Sequence, residues 1–508
     1  MSEAPLDAAT RCTDCEAIER ATVQDRRASQ LLPIPRLAMA GFADGRDSAA
    51  LTRRRLMQFG AAGLASVYAP RLLGWQSVWE SVVAEATPMP NAVVVLYLAG
   101  GQDGLNVIVP NSSADYGLYA QMRPMIGRIQ GPSAGGKVGS LAVPASGGEL
   151  AFASPTVSTA GGGDNGDPLY GFDTLYGTGD GGPGSKLALL PATDYMPPNL
   201  SHFTSQDYWF SGALESLSTG WLGRWLDLYG SPTNPLQGIS IGYSLSKTLL
   251  SAAAPVCTIS SLSGTGFALN AGGGAHGGDS RAVNPNAVLA QLAALPAGNA
   301  ALAHTRGAYG LAVGVQQQTS ALSQATLGTG YPANSYLASQ LQLAAVLLAA
   351  GFGTRVITIN WGGFDTHGNQ IATQDPQLAE LSRCLGAFQA DLATRGIEGQ
   401  VATLMFSEFG RRASDNASGG TDHGAGGLMM ALGSNVRGGY AAPFPGLGTL
   451  DSSGSVLVPT DFRSVYQETI ASWLGGDPTA VLPGGPFPAI SRYDSGTGLF
   501  DDPSGLFV

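Results

Sequence analysis

The sequence predicts an α/β protein: a doubly wound, mainly parallel sheet with helices on both faces, interrupted by Gly-rich insertions. Three observations predict it. Continuous apolar runs of strand length recur along the chain, stretches with helical apolar spacing precede the later ones, and each run leads into a short segment of Gly with Asp, Glu or His. Strands buried on both faces read as unbroken apolar runs, and their alternation with helices implies parallel pairing. In such sheets functional groups gather at the carboxyl ends of the strands.

Ahead of the predicted domain, Thr52 to Gln58 reads Thr-Arg-Arg-Arg-Leu-Met-Gln, and Leu56 to Ala69 is fourteen residues without a charge. This is the pattern of a twin-arginine signal, so the twin-arginine translocase is the expected partner during export. The uncharged run is Gly- and Ala-rich and falls short of the roughly 18 to 20 residues that span hydrocarbon. It is read as a removable segment, with Ala84-Glu85-Ala86 as the cleavage site. Residues 1–86 are therefore the signal region with a long extension, which carries Cys12 and Cys15 away, and residues 87–508 are a single periplasmic or secreted domain.

From Thr87 onward 16 basic side chains face 27 acidic ones, so this part carries the whole net charge of −11. Nucleic acid and anionic membrane surfaces are poor partners for such a chain. Only Cys257 and Cys384 remain, so no disulfide framework holds the fold. No later run of about 20 apolar residues is present, and a soluble protein without a stable membrane span is expected.

The first strand starts after Asn91 with Ala-Val-Val-Val-Leu-Tyr-Leu and ends in Ala99-Gly-Gly-Gln-Asp-Gly-Leu-Asn106. A helix-like stretch from Ser335 to Ala350 leads into the strand Arg355 to Asn360 and then Trp361-Gly-Gly-Phe-Asp-Thr-His367. Gln377 to Thr394 has helical spacing and leads into Gln400 to Phe406, followed by Ser407-Glu-Phe-Gly-Arg411. Between these units, Gly131 to Gly184, where 16 of 54 residues are glycine, and the tract Gly264 to Gly278 read as surface insertions or flaps.

Histidines stand at 202, 276, 304, 367 and 423. Asp365-Thr-His367, Asp422-His423 and Ser201-His202 lie where buried elements are predicted to end, and Asp103 follows the first strand. Alternating carboxylates and imidazoles suit one or two divalent ions, zinc or manganese first and calcium as an alternative. A bland reading stands beside this: Asp caps helices, His satisfies a carbonyl, and Ser201-His202 is a polar cap between loop and helix.

The order Gly-Gly-Gln-Asp-Gly-Leu-Asn, Ser-His-Phe, Gly-Phe-Asp-Thr-His, Ser-Glu-Phe-Gly-Arg, Gly-Thr-Asp-His-Gly and Thr460-Asp-Phe-Arg-Ser-Val-Tyr466 resembles the bacterial domain-of-unknown-function family 1501. That family is grouped with the alkaline-phosphatase and sulfatase superfamily. The resemblance implies an alkaline-phosphatase-like fold and a metal-dependent hydrolase of phosphate or related esters, acting on a small-molecule or polymer ester; a non-catalytic envelope or binding protein on the same fold is the alternative. It further implies Asp103, Asp365, His367, Asp422 and His423 as metal ligands, Ser201 as nucleophile beside His202, and Arg411 as stabiliser of a transferring phosphoryl group. The chain departs from the superfamily pattern in two ways: only Thr366 separates Asp365 from His367, and the strand that should precede Asp422-His423 leads instead to Glu408. Glu408 is therefore a competing ligand. No formylglycine signature surrounds Cys257 or Cys384, which excludes a true sulfatase.

Overall fold

The computed structural model describes residues 89–130, 150–177, 185–261, 285–494 and 497–508. The arginine-rich stretch, the cleavage site, Cys12, Cys15, His276 and the tract 264–278 lie outside the described residues.

In chain order the strands are β1 (Ala92–Ala99), β2 (Ile108–Pro110), β3 (Leu150–Phe152), β4 (Leu187–Asp194), β5 (Gly238–Ile241), β6 (Cys257–Ile259), β7 (Val356–Gly362), β8 (Val401–Phe406), β9 (Gly410–Arg411), β10 (His423–Gly424), β11 (Gly427–Leu432), β12 (Gly439–Tyr440), β13 (Thr460–Asp461), β14 (Arg492–Asp494) and β15 (Leu499–Asp502). Among the described residues, nine of them form one sheet in the order β12-β4-β11-β8-β1-β7-β5-β6, with β13 also paired to β4. All neighbours pair in parallel except β11, which runs against both β4 and β8. The sheet is thus mixed and mostly parallel, as the unbroken apolar runs predict.

Strand β1 shows why those runs are unbroken. Val94, Leu96 and Leu98 enter one buried cluster and Val93, Val95 and Tyr97 the other, because successive side chains point to opposite faces. The first cluster is closed by the helices Tyr336–Ala349 and Gln370–Thr394, through Leu337, Leu341, Leu381 and Phe388. The second is closed by α1 (His202–Ser211), α2 (Trp221–Tyr229) and α3 (Phe462–Glu468), through Trp209, Trp221, Phe462 and Tyr466. Trp209 stacks on Phe462 with ring centres 4.2 Å apart, and Trp221 on Tyr466 at the same distance. Helices on both faces make this an α/β fold.

Part of the Gly-rich region differs from the expected surface decoration. Leu150, Phe152, Val157, Phe172 and Tyr176 are buried in the first cluster, where Phe152 packs edge-on against Phe172 and Tyr176. Glycine density marks turns, and here the few apolar residues between the turns reach the core. Cys257 and Cys384 are both free and buried. No helix among the described residues is long and apolar enough to cross a membrane.

Candidate metal centre

Because β1, β4, β7 and β8 are mutually parallel, the loops after them emerge on one edge of the sheet, and the loop preceding antiparallel β11 joins them there. The loop after β4 delivers His202 at the start of α1, that after β7 delivers Asp365 and His367, that after β8 delivers Glu408 and Arg411, and His423 precedes β11. Residues distant in sequence converge here through topology alone.

At the centre is the Asp365 carboxylate. Its Oδ1 lies 3.0 Å from His367 Nε2 and 3.3 Å from His423 Nε2, its Oδ2 lies 3.5 Å from His202 Nε2, and the Nε2 atoms of His367 and His423 are 3.0 Å apart. Ligands bonded at about 2.0–2.1 Å to one ion sit about 3.3 Å apart in a tetrahedron and about 3.0 Å apart as octahedral neighbours. Three of the four spacings fall in that range, and that of His202 Nε2 is 0.2 Å beyond it. Ligand atoms of His202, Asp365 and His423 all lie within 4.8 Å of one another, and His367 joins this group through Asp365 and His423.

Each imidazole is also held from behind. His202 Nδ1 lies 2.6 Å from Glu408 Oε1, His423 Nδ1 lies 2.9 Å from the Leu200 carbonyl, and His367 Nδ1 lies 3.4 Å from Asp422 Oδ1. With Nδ1 donating to an acceptor, the lone pair of a neutral ring is on Nε2, the orientation metal-binding histidines adopt. His202 Nε2 is buried and has no hydrogen-bond partner. A buried polar atom left so is destabilising unless an ion or proton answers it. These residues therefore fit a divalent cation.

The electrostatics agree. Burial works against the Asp365 charge, yet the three histidines around it and the Arg411 charge hold its carboxyl far below the usual range. Burial works to lower His202, but Asp365 and Glu408 raise it to about 9. Burial lowers His423, reinforced by the charges of Arg411 and His202 and only partly offset by Asp365. Two carboxylates thus draw positive charge to one point.

The other expected site residues are close by in different roles. Asp103, expected as a ligand, is buried and chelated by Arg123, with Nη1 at 2.5 Å and Nη2 at 3.0 Å, and its Oδ2 also accepts from Gln370 Nε2. Gln370 Oε1 accepts in turn from Thr366 and Thr421, so this network braces the loops that carry His367 and His423. Asp422 stands behind His367 and accepts from Asn416 at 3.1 Å, and Glu408 stands behind His202. Arg411 is committed to the protein: Nε donates to Gly101 O, Nη1 to Thr421 O, and Nη2 to Gly100 O, Phe364 O and Asp365 Oδ1. It clamps three loops and fixes Asp365 rather than presenting a free guanidinium. Ser201 occupies the N-cap of α1, but its hydroxyl makes no capping bond.

His202 is the residue whose place the sequence assigned differently, as a neighbour of a nucleophile. Phe409 was not singled out; its ring packs 4.8 Å from His202 and 4.4 Å from His423, forming an apolar wall. Its position between Glu408 and Arg411 in the Ser-Glu-Phe-Gly-Arg motif was the available signal.

Residues 290–480 match the model of a family described as protein of unknown function (DUF1501). The matched segment contains Asp365, His367, Glu408, Arg411, Asp422 and His423, and begins downstream of Asp103 and His202. No curated protein matches the chain.

Proposed function

We propose that the chain is an exported metal-dependent hydrolase of phosphate or related esters, built on an alkaline-phosphatase-like fold and using one zinc or manganese ion. The observation that carries this reading is the convergence of three imidazole Nε2 atoms on the Asp365 carboxylate. His202, His367, His423 and Asp365 are the residues that hold the ion. Three nitrogens and one carboxylate suit zinc or manganese and disfavour calcium, which takes six to eight oxygens. When bound, such an ion acts as a Lewis acid, lowering the pKa of an attacking water or hydroxyl and stabilising charge on the ester oxygens. Arg411 keeps Asp365 oriented, and Phe409 excludes water from one side of the imidazoles. Ser201, beside His202 and not used in capping, is the candidate attacking hydroxyl, with water as the alternative. Export rests on the arginine motif at Thr52 to Gln58 and its uncharged run.

The test is elemental analysis of protein purified from its native compartment without chelator, paired with hydrolysis of a generic phosphate monoester and diester. One equivalent of metal and ester hydrolysis are expected, both lost in Asp365→Ala and in His423→Ala. Ser201→Ala with metal retained and turnover lost assigns the attack to the hydroxyl; retained turnover assigns it to water. A wild type without metal, or a loaded one inert toward both esters, moves the chain to a non-catalytic binding role in the cell envelope.

A further inference from the structure

The three histidines are not held alike. His423 donates to a neutral backbone carbonyl and His367 to Asp422, whose side chain is 48% exposed and 3.4 Å away. His202 faces Glu408, whose side chain is wholly buried, at 2.6 Å. Glu408 is in turn wrapped by donors. Gly100 N lies 3.0 Å from Oε1 and 3.1 Å from Oε2, and Gly101 N, shared with Ser407 Oγ at 2.9 Å, lies 3.2 Å from Oε2; the Ser407 hydroxyl, 2.9 Å from Oε2, shares its one hydrogen with the Leu98 carbonyl at 2.5 Å. Successive amides arranged this way form an anion-binding nest. The nest requires Gly100 and Gly101 at φ +122° and +74°, and a Cβ on Gly100 would meet Phe364 C at 2.8 Å and Asp365 N closer still.

The Gly-Gly turn after β1 resembles a loop that cradles a substrate anion, but the anion it holds is internal. All the donors that converge on Glu408 leave it acceptor-only, so the Glu408–His202 bond is donated by Nδ1. From this asymmetry, and resting on the reading that His202 ligates a metal, we infer that Glu408 is the principal positioning residue of the centre. It fixes His202 as the Nδ1–H tautomer with Nε2 turned to the ion, while Asp422 does the same for His367 only weakly. The Gly-Gly and Ser-Glu motifs are then two halves of one device, a buried carboxylate and its nest. Charge matters as well as shape, because a carboxylate behind an imidazole raises its basicity as a ligand.

The experiment is zinc affinity by competition with a chromophoric chelator, on the full exported protein and its Glu408→Gln, Asp422→Asn and His202→Ala variants, with circular dichroism of the metal-free forms. Losing an outer-shell partner typically weakens metal affinity about 10- to 100-fold. Glu408→Gln is expected to fall in that range and Asp422→Asn to change by less than about threefold, with His202→Ala binding weakest. Should Glu408→Gln not fold, nitrogen-15 shifts of the zinc-loaded wild type decide the matter: His202 must show a protonated Nδ1 and a metal-bound Nε2. Folded Glu408→Gln binding zinc as the wild type does, or a His202 with Nδ1 unprotonated, overturns the inference and leaves the metal centre standing. A wild type that binds no zinc overturns both.

Discussion

Asp103 separates a ligand from a brace. It was expected to hold a metal because it follows the first strand, yet its two oxygens are taken by Arg123, and both side chains are almost wholly buried. Removing one partner of a buried ion pair strands the other charge and costs about 3–5 kcal/mol. Asp103→Ala is therefore expected to lower stability by that order in urea unfolding while the folded fraction keeps the metal affinity of the proposed centre. Metal loss with little change in stability would return Asp103 to the role of ligand. Adjacency in sequence could not reveal this, because Arg123 is twenty residues away and folds back over Asp103 only in three dimensions. The same blindness applied to Asp422 and Glu408. Each was legible as a carboxylate at the site, but which face of an imidazole it meets is set by the fold. Asp365, His367 and His423 were legible because their partners lie at strand ends, where topology gathers functional groups.

Among the elements, β1, β7 and β8 were legible and β4 and β11 were not. Strands β1 and β8 are almost wholly apolar and buried, and β7 opens with four buried residues, Val356 to Ile359, before Asn360 turns to solvent. Strand β4, Leu-Ala-Leu-Leu-Pro-Ala-Thr-Asp, contains Pro191, which argues against a central strand; the structure accommodates it with a register shift against β11 between Met429 and Gly427. Strand β11, Gly-Leu-Met-Met-Ala-Leu, is made of good helix formers after its first residue. The helix Gln370–Thr394 begins seven residues before the apolar spacing does, since Gln370, Gln374 and Asp375 in its first turns are buried polar groups. Strand β4 also ends in a titratable feature. Burial lifts Asp194 from 3.8 to about 8, against hydrogen bonds from the Tyr195 and Gly426 amides and with help from nearby Asp461. Between those values the folded state holds a proton that the unfolded state has lost, so this group's contribution is full at low pH and is lost as pH rises through about 8. Wild-type stability should decline over that window by an amount of order a few kcal/mol attributable to Asp194. Asp194→Asn should flatten the decline, so its stability relative to wild type must improve from pH 5 to pH 8 in denaturant titrations. A constant difference between the two proteins would show that Asp194 is ionised throughout.

For the molecule as a whole, the centre sits at the rim of a fold that does not depend on it. The two buried clusters lie on opposite faces of the sheet and contain the helices that cover it, whereas the candidate ligands lie beyond the ends of the central strands, in the loop after β7, at the start of α1 and in the short β10. Small metal domains unfold without their ion because they have little else to bury. Here burial of each large apolar side chain contributes about 1.5–3 kcal/mol, and dozens are involved. A metal bound at the proposed centre should therefore stabilise the protein without being required for it. An ion that binds only the folded state, free at a thousandfold above its Kd, adds about 4 kcal/mol. Chelation is expected to leave far-UV circular dichroism unchanged and unfolding cooperative, with a lower midpoint that zinc restores and that Asp365→Ala no longer moves. If the chelated protein instead lost its helical signal, the segments after β4 and β7 and before β11, which carry the candidate ligands, would have to be organising the sheet. The ion would then be a structural element, and ester hydrolysis would need another centre.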